Sequence, residues 1–377
     1  MPQEGEGAAP LAPPTAPAGP RSQHRERARD EGGSPAPLLP RPLARPRSQR
    51  AVFADLHRWL RLHDLLASLD PDGPPAVRTL PAGWMAPARL GVLAGSFNPM
   101  TLAHTALAGR ALTEGGLDAV AFALSVRIVD KERVTGAALE DRLLALELYV
   151  QRHPEYAVLV LNRGLYVDQA VALRAAFPAL RELAFIVGYD KAVQIFDPRY
   201  YADRDAALER LFALATLLVA PRAGQGQAAL AALLARPENR RFAGAVRWLP
   251  LPAAYTALSS TQVRQEAGSA AEVEAVPVET RALLAATRVY APPRRLRSGE
   301  EVDANAVRLA LLDALARTRA WAESSADLAG LLRLALSPGR AGRAFRAWLR
   351  QPPAGAAARA ADLAAFQACL HRRRAEN

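Results

Sequence analysis

Along the chain the period of the apolar positions changes at a few places, and those changes divide it. Between Val52 and Leu69 apolar residues recur at helical spacing: Phe53, Leu56, Leu60 beside Trp59, then Leu62, Leu65 and Leu66. Asp70-Pro71-Asp72-Gly73-Pro74-Pro75 stops that helix. His57 and His63 lie on it six positions apart, share no face, and read as ordinary helix residues. From Arg89 onward short apolar runs alternate with helical stretches. Strands are expected at 90–94, 119–126, 156–161, 183–187, 214–220 and 246–251. Helices are expected at 101–113, 137–151, 166–177, 191–196, 204–211 and 227–235, and further ones start at 258–264 and 278–289. Repeated strand–helix alternation implies an α/β fold, a Rossmann-like parallel sheet with helices on both faces. Ligands on such sheets collect at the carboxyl ends of strands, near the switch in strand order.

The ends differ from the middle. Residues 1–50 are dominated by Pro, Ala, Arg, Gly and Ser, cannot bury enough apolar surface to offset chain entropy, and are expected to be disordered. Residues 294–377 are rich in Ala, Leu and Arg, with helices expected at 303–323, 325–336, 339–351 and 357–373 and no catalytic constellation. The expected organisation is a disordered tail over 1–50, a helix and linker over 51–88 packing on the core, an α/β domain over 89–293, and a C-terminal helical extension over 294–377.

Charge sharpens this picture. The chain of 377 residues carries a net charge of +11. Residues 1–50 hold 8 arginines against 5 acidic residues, and 292–377 hold 15 against 8, so the middle is almost neutral. A nucleic-acid-binding domain would concentrate charge on its working face, so no nucleic-acid partner is expected. The two lysines, Lys131 and Lys191, stand out among 46 arginines. Lys191 reads as a surface residue. One cysteine, Cys369, excludes an internal disulfide framework and a cysteine-based metal cluster. No apolar run approaches the roughly 20 residues of a membrane span. Glu4 and Glu6 in the opening residues fit neither a secretory signal nor a transit peptide, so a cytoplasmic protein is expected.

The candidate chemistry begins where the run 90–94 enters Gly95-Ser96-Phe97-Asn98-Pro99. Thr101 stands where a helix would start, and His104 falls in its first turn. Small residues let the backbone approach an oxyanion, and a helix N-terminus offers unpaired N–H groups and a partial positive charge. A second helix mouth follows at Leu258-Ser259-Ser260-Thr261-Gln262-Val263-Arg264. Its hydroxyls can cap the helix and donate to phosphate oxygens, and Arg264 shares a face with Ser260 and Thr261. No Gly-x-Gly-x-x-Gly fingerprint follows the first strand, which disfavours a dinucleotide dehydrogenase.

These residues carry a resemblance. Gly95-Ser96-Phe97-Asn98-Pro99-Met100-Thr101-Leu102-Ala103-His104 resembles the first motif of the nicotinamide/nicotinate mononucleotide adenylyltransferases. Those enzymes belong to the nucleotidyltransferase superfamily whose signature is His/Thr-x-Gly-His. The segment from Leu258 to Arg264 resembles the family's second signature, Ile-Ser-Ser-Thr-x-Ile/Val-Arg. Phe185-Ile186-Val187-Gly188-Tyr189-Asp190 resembles its strand-end Gly-x-Asp, and Val219-Ala220-Pro221-Arg222 its strand-then-Arg segment. Val276-Pro277 through Val289-Tyr290 resembles its closing helix. The likeness spans 89–291 and neither end. Ala103 departs from the signature glycine; Thr101 in place of the first histidine is a substitution these enzymes share.

The resemblance implies transfer of AMP from ATP to the 5′-phosphate of a nicotinamide or nicotinate mononucleotide, a step of NAD biosynthesis, with release of pyrophosphate. It places Gly95, Ser96 and Phe97 in the phosphate-binding turn. His104 and Thr101 would hold α- and β-phosphate oxygens, Ser259, Ser260 and Thr261 would donate to the β- and γ-phosphates, and Arg264 would neutralise pyrophosphate. Gly188 and Asp190 would contact nucleotide sugar or base, with Arg222 near adenine or phosphates, and Lys131 would be a phosphate-binding lysine. Tyr166 and Asp168 would lie at the pyridine end. Mg²⁺ would arrive mainly on the triphosphate, without dedicated protein ligands. Read without the resemblance, the alternative for Asp190 is an N-cap and for Arg222 a solvated loop residue, and Tyr166 reads as a core aromatic. A sister transferase acting on another phosphomonoester and a nucleotide-binding sensor without turnover remain as rival functions. A class I aminoacyl-tRNA synthetase is disfavoured by the absence of a lysine-rich loop and a charged RNA face. Membrane binding is not expected, and homo-oligomerisation is left open.

Overall fold

A computed structural model of the chain describes residues 55–126, 136–222, 224–266, 274–318, 328–351 and 356–375. The 1–50 segment and Lys131 lie outside the described residues. The architecture is α/β and Rossmann-like, with seven strands in the main sheet. The strands are β1 (Val77–Leu80), β2 (Arg89–Ala94), β3 (Ala119–Ser125), β4 (Tyr156–Leu161), β5 (Glu182–Gly188), β6 (Thr216–Ala220) and β7 (Val246–Trp248). Their spatial order is β1-β4-β3-β2-β5-β6-β7. Every pairing from β4 across to β7 is parallel, while β1 runs antiparallel to β4. From β2 the order runs one way through β3 and β4 and the other way through β5, β6 and β7. The switch point of the doubly wound fold therefore falls between β2 and β5.

Alternate residues of the central strands feed two separate cores, as a period of two requires. Leu93, Phe122, Val158, Val160, Ile186 and Leu218 face one side; Val92, Ala121, Leu159, Phe185, Leu217 and Val219 face the other. Helices cover both faces, so β3 and β4 are buried along almost their whole length and read as continuous apolar runs. The helices that matter for the site are α2 (Leu102–Gly115), α3 (Leu139–Val150), α4 (Tyr166–Ala176) and α5 (Tyr189–Phe196). With them stand the short helix Ser260–Gln265 and the closing helix Val278–Thr287.

Outside the α/β unit, helix α1 (Leu56–Ala67) has two apolar faces. Leu62 and Leu66 enter the sheet core, while Leu56, Trp59 and Leu60 join a third cluster with Leu311, Leu315, Leu331, Phe345 and Trp348. That cluster is built by the C-terminal helices Ala304–Thr318, Leu328–Ala335, Arg340–Arg350 and Ala356–Ala375.

Four features differ from the sequence expectation. Strand β1 was not expected: it has four residues, alternates in exposure and is closed by Pro81, so it presents no apolar run. The sixth strand begins at Thr216 because Leu214 belongs to the preceding helix, Arg204–Leu214. The last parallel strand ends at Trp248 rather than at 251. A two-stranded ribbon of Arg294–Arg295 with Glu301–Val302 precedes the C-terminal helices.

Candidate active site

Strand β2 delivers Gly95 and Ser96 to the carboxyl edge of the sheet, beside the switch point, with Ser96 exposed. The chain then reverses at Phe97, whose φ of +44° is unusual for a residue with a side chain. Such a conformation costs about 1–3 kcal/mol and persists only where its surroundings over-determine it. Here they do. The Phe97 ring is 2 % exposed, edge-on to Phe122 at 5.6 Å and to the His104 ring at 5.1 Å.

The turn is held by residues from distant parts of the chain. Arg142 Nη1 donates to the Ser96 carbonyl at 2.9 Å, and Arg264 Nη1 to the Asn98 carbonyl at 2.6 Å. Ser260 Oγ donates to the Pro99 carbonyl at 2.6 Å, and Thr280 Oγ1 to the Met100 carbonyl at 3.2 Å. The fully buried Asn98 side chain accepts from the Ala137 N–H at 3.1 Å and from Tyr290 Oη at 2.6 Å. Gly136, with φ +136°, lies so close that a Cβ there would sit 2.7 Å from Asn98 Oδ1 and 2.9 Å from the Tyr290 ring. The two helix mouths seen in the sequence are thus joined directly: Arg264 and Ser260 bond the turn that precedes His104.

Helix α2 starts at Thr101, and its capping fixes the histidine. The Thr101 N–H donates to His104 Nδ1 at 3.0 Å, so Nδ1 carries the lone pair, and the Thr101 hydroxyl donates to the same atom at 2.8 Å. The ring proton therefore sits on Nε2. Burial, reinforced by the nearby positive charge of Arg222, lowers the His104 pKa from 6.5 to about 4. His104 keeps a partly exposed surface within densely packed surroundings. At neutral pH it is an uncharged donor of one hydrogen bond through Nε2. Thr101 itself is 0 % exposed. In this geometry its hydroxyl bonds and orients His104.

Arg222 stands on the loop after β6 and donates Nη1 to the Leu258 carbonyl at 2.9 Å, next to the second mouth. Ser259 caps the short helix by accepting from the Gln262 N–H at 3.1 Å, and Thr261 Oγ1 accepts from Arg264 Nη2 at 3.0 Å. At the end of β5, Gly188 is itself the cap residue of α5, so Asp190 lies inside the first turn and is exposed. A Cβ on Gly188 would lie 2.7 Å from Asp190 Oδ1 and 3.6 Å from the Arg222 side chain, so all three residues share one corner of the site. Tyr166, at the start of α4, is buried edge-on against Phe185 at 5.0 Å. Burial, and then the charge of Asp190, push its phenol pKa well above the usual tyrosine value. It is a core aromatic behind the Asp190 corner, while Asp168 on the same turn is partly exposed.

The sequence reading assigned no role to Asn98, Arg142, Thr280 or Tyr290. Asn98 stood in the first motif, and Thr280 and Tyr290 in the closing segment, without a role of their own; Arg142 looked like any helical arginine. Among the described residues no group of three or more His, Cys, Asp or Glu side chains could hold a metal ion.

A family model described as cytidylyltransferase-like matches residues 92–266, which include both helix mouths and the Gly188 corner. A probable nicotinate-nucleotide adenylyltransferase of Bordetella pertussis is 30 % identical over 208 residues, covering 54 % of this chain and 98 % of that protein. The chain belongs to this adenylyltransferase family. A probable nicotinate-nucleotide adenylyltransferase of Trichlorobacter lovleyi is 31 % identical over 139 residues, 36 % of this chain and 62 % of that relative. A solved nicotinic acid mononucleotide adenylyltransferase of Plasmodium falciparum, complexed with NaAD, aligns with a TM-score of 0.41 at 12 % identity. That alignment covers 53 % of this chain and 96 % of the solved one. As an adenylyltransferase-family member the chain is an enzyme of the nucleotidyltransferase type, with Arg142 inside the matched region and the C-terminal helices outside it. Among the described residues no helix is long and apolar enough to cross a membrane.

Proposed function

We propose that the chain transfers AMP from magnesium-bound ATP to the 5′-phosphate of nicotinate mononucleotide or its amide counterpart, forming a dinucleotide and pyrophosphate. The acid form is placed first because the curated relatives are named for it. The observation that carries the reading is the bonding of Arg264 and Ser260 to the carbonyls of Asn98 and Pro99. It sets two phosphate-facing helix mouths side by side at the switch point of the sheet, where a triphosphate can span both.

The chemistry asks little of the protein beyond position and charge. An oxygen of the acceptor phosphate, already anionic, forms a bond to the α-phosphorus. The bond from that phosphorus to the bridging oxygen breaks, and the electron pair leaves with pyrophosphate. No proton has to be removed from the nucleophile, which matches a site whose histidine is neutral and has its Nδ1 occupied. The Nε2–H of His104 donates to a non-bridging oxygen of the α-phosphate as charge builds there. Arg264, with Ser259 and Thr261 beside it, stabilises the departing pyrophosphate, and Arg222 completes the positive wall between the two mouths. Ser96 and Gly95 leave room for the α-phosphate to approach the backbone. Gly188 and Asp190 lie where the nucleoside part would rest.

The test is an acceptor panel in which pyrophosphate release from ATP is followed with nicotinate mononucleotide, nicotinamide mononucleotide and unrelated phosphomonoesters. Release with a pyridine mononucleotide and not with the others is the expected result. Release only with another phosphomonoester would assign the chain to a sister reaction. Nucleotide binding without release would make it a sensor.

A further inference from the structure

The N-terminal turn of α3 is tied to the C-terminal helices by a fully buried ion pair. Arg308, on helix Ala304–Thr318, donates Nη1 and Nη2 to the two carboxylate oxygens of Asp141 at 2.7 and 2.6 Å. The side chains are 4 % and 0 % exposed. The next residue along α3 is Arg142, 5 % exposed, which holds the Ser96 carbonyl of the phosphate-facing turn. Segments that precede and follow the α/β unit in the chain converge on the same helix. From α1, Arg61 Nη2 donates to both Glu147 carboxylate oxygens at 2.6 and 2.7 Å, and His63 bonds Glu140 at 2.9 Å. Arg308, Arg61 and His63 all lie outside the matched region 92–266.

A buried bidentate pair contributes little net stability over well-packed apolar residues, but its fork fixes geometry in two directions. Asp141 and Arg142 share one turn of helix, so whatever seats Asp141 seats Arg142. We propose that Arg308 is a positioning residue for nucleotidyl transfer: by clamping Asp141 it sets Arg142 on the Ser96 carbonyl and holds the phosphate turn in register. The C-terminal extension is then a working part of the site. This rests on the reaction proposed above for its turnover readout, and on nucleotide binding independently of it.

The test uses the full chain. Removing Arg308 alone strands a buried carboxylate, so the informative variant is the double Asp141→Leu/Arg308→Met, which removes both charges. Melting temperature, kcat, KM for each substrate, and affinity for a non-hydrolysable ATP analogue by calorimetry are measured beside the wild type. The expected result is a melting temperature within a few degrees of wild type with kcat lowered about tenfold or more, because small misplacements at a reacting centre are expensive. KM for the acceptor should change less than twofold. Arg142→Lys added to the double variant should lower kcat little further, since the two changes act through one contact. A double variant that turns over within twofold of wild type, or an undiminished additional loss from Arg142→Lys, overturns the proposal.

If the double variant does not fold, Arg308→Lys keeps the charge without the fork and carries the same readouts. A folded lysine variant with wild-type kcat overturns the proposal; one with lowered kcat supports it. If the wild type turns over no acceptor, the proposed reaction fails and the ATP-analogue affinity decides. About tenfold weaker binding in the variant supports the positioning role, and unchanged binding refutes it.

Discussion

Replacing His104 by alanine separates two contributions that the geometry assigns to one ring. The Nε2–H is the transition-state donor, and loss of one such donor lowers turnover by roughly a hundred- to a thousandfold, about 2.7–4 kcal/mol. Nδ1 is the acceptor for the first turn of α2, and losing a cap of this kind costs about 0.5–2 kcal/mol of stability. The pH dependence gives the sharper signature. The folded protein holds the His104 pKa at about 4 against 6.5 for a free imidazole, so the unfolded chain binds more protons between these values. Stability from this residue is therefore full above about pH 6.5 and is lost progressively as the pH falls towards 4. Between about pH 7.5 and pH 5 the loss is about 2 kcal/mol, and His104→Ala should lack it. Denaturant unfolding of both proteins at the two pH values measures the difference. The neutral ring also predicts that turnover shows no ionisation near 6.5 belonging to this residue. A pH–rate limb near 6.5 that vanishes in His104→Ala would refute the neutral-donor assignment, as would an identical pH dependence of stability in the two proteins.

Two further outcomes follow from the same contacts. Arg264→Ala should raise KM for ATP at least about tenfold, as expected for losing a charge-assisted phosphate contact, while leaving KM for the acceptor much less affected. Initial-rate kinetics in both substrates read this, and equal losses would undo the assignment of Arg264 to pyrophosphate. Tyr290→Phe removes a 2.6 Å donor from the buried Asn98 side chain. It should lower stability by about 1 kcal/mol in urea unfolding and reduce kcat several-fold. Wild-type stability would show that this bond does not hold the turn.

The sequence and the structure agree where the signal is local. The parallel strands β2 to β6 announce themselves because both faces of the sheet are covered there, which makes each one largely a run of apolar residues, whereas β7 at the edge has only three residues with an exposed Arg247 at its centre. The edge strand Val77–Leu80 pairs with one neighbour only and alternates in exposure, so its four residues look like linker. Strand order has no local signature; it was visible only as the expectation that a switch point must exist. The site divides in the same way. His104, Gly188, Ser259 and Arg264 lie in short motifs whose chemistry is readable from neighbouring residues. Asn98, Arg142 and Tyr290 act across sequence separations of 39 to 192 residues, and nothing near them in the chain names their partners. Thr101 shows the limit most clearly. The sequence offered its hydroxyl to a phosphate and gave no sign of its complete burial or of its bond to the His104 ring. The Asp141–Arg308 pair is less legible still, because each residue on its own is an ordinary charged position on a helix.

The most direct measurement is chromatographic detection of product when the purified chain is incubated with magnesium-bound ATP and nicotinate mononucleotide. The proposed reaction forms a dinucleotide and pyrophosphate in equal amounts, with ATP consumed in the same proportion. ATP bound at the site with no dinucleotide formed from either the acid or the amide mononucleotide would contradict it.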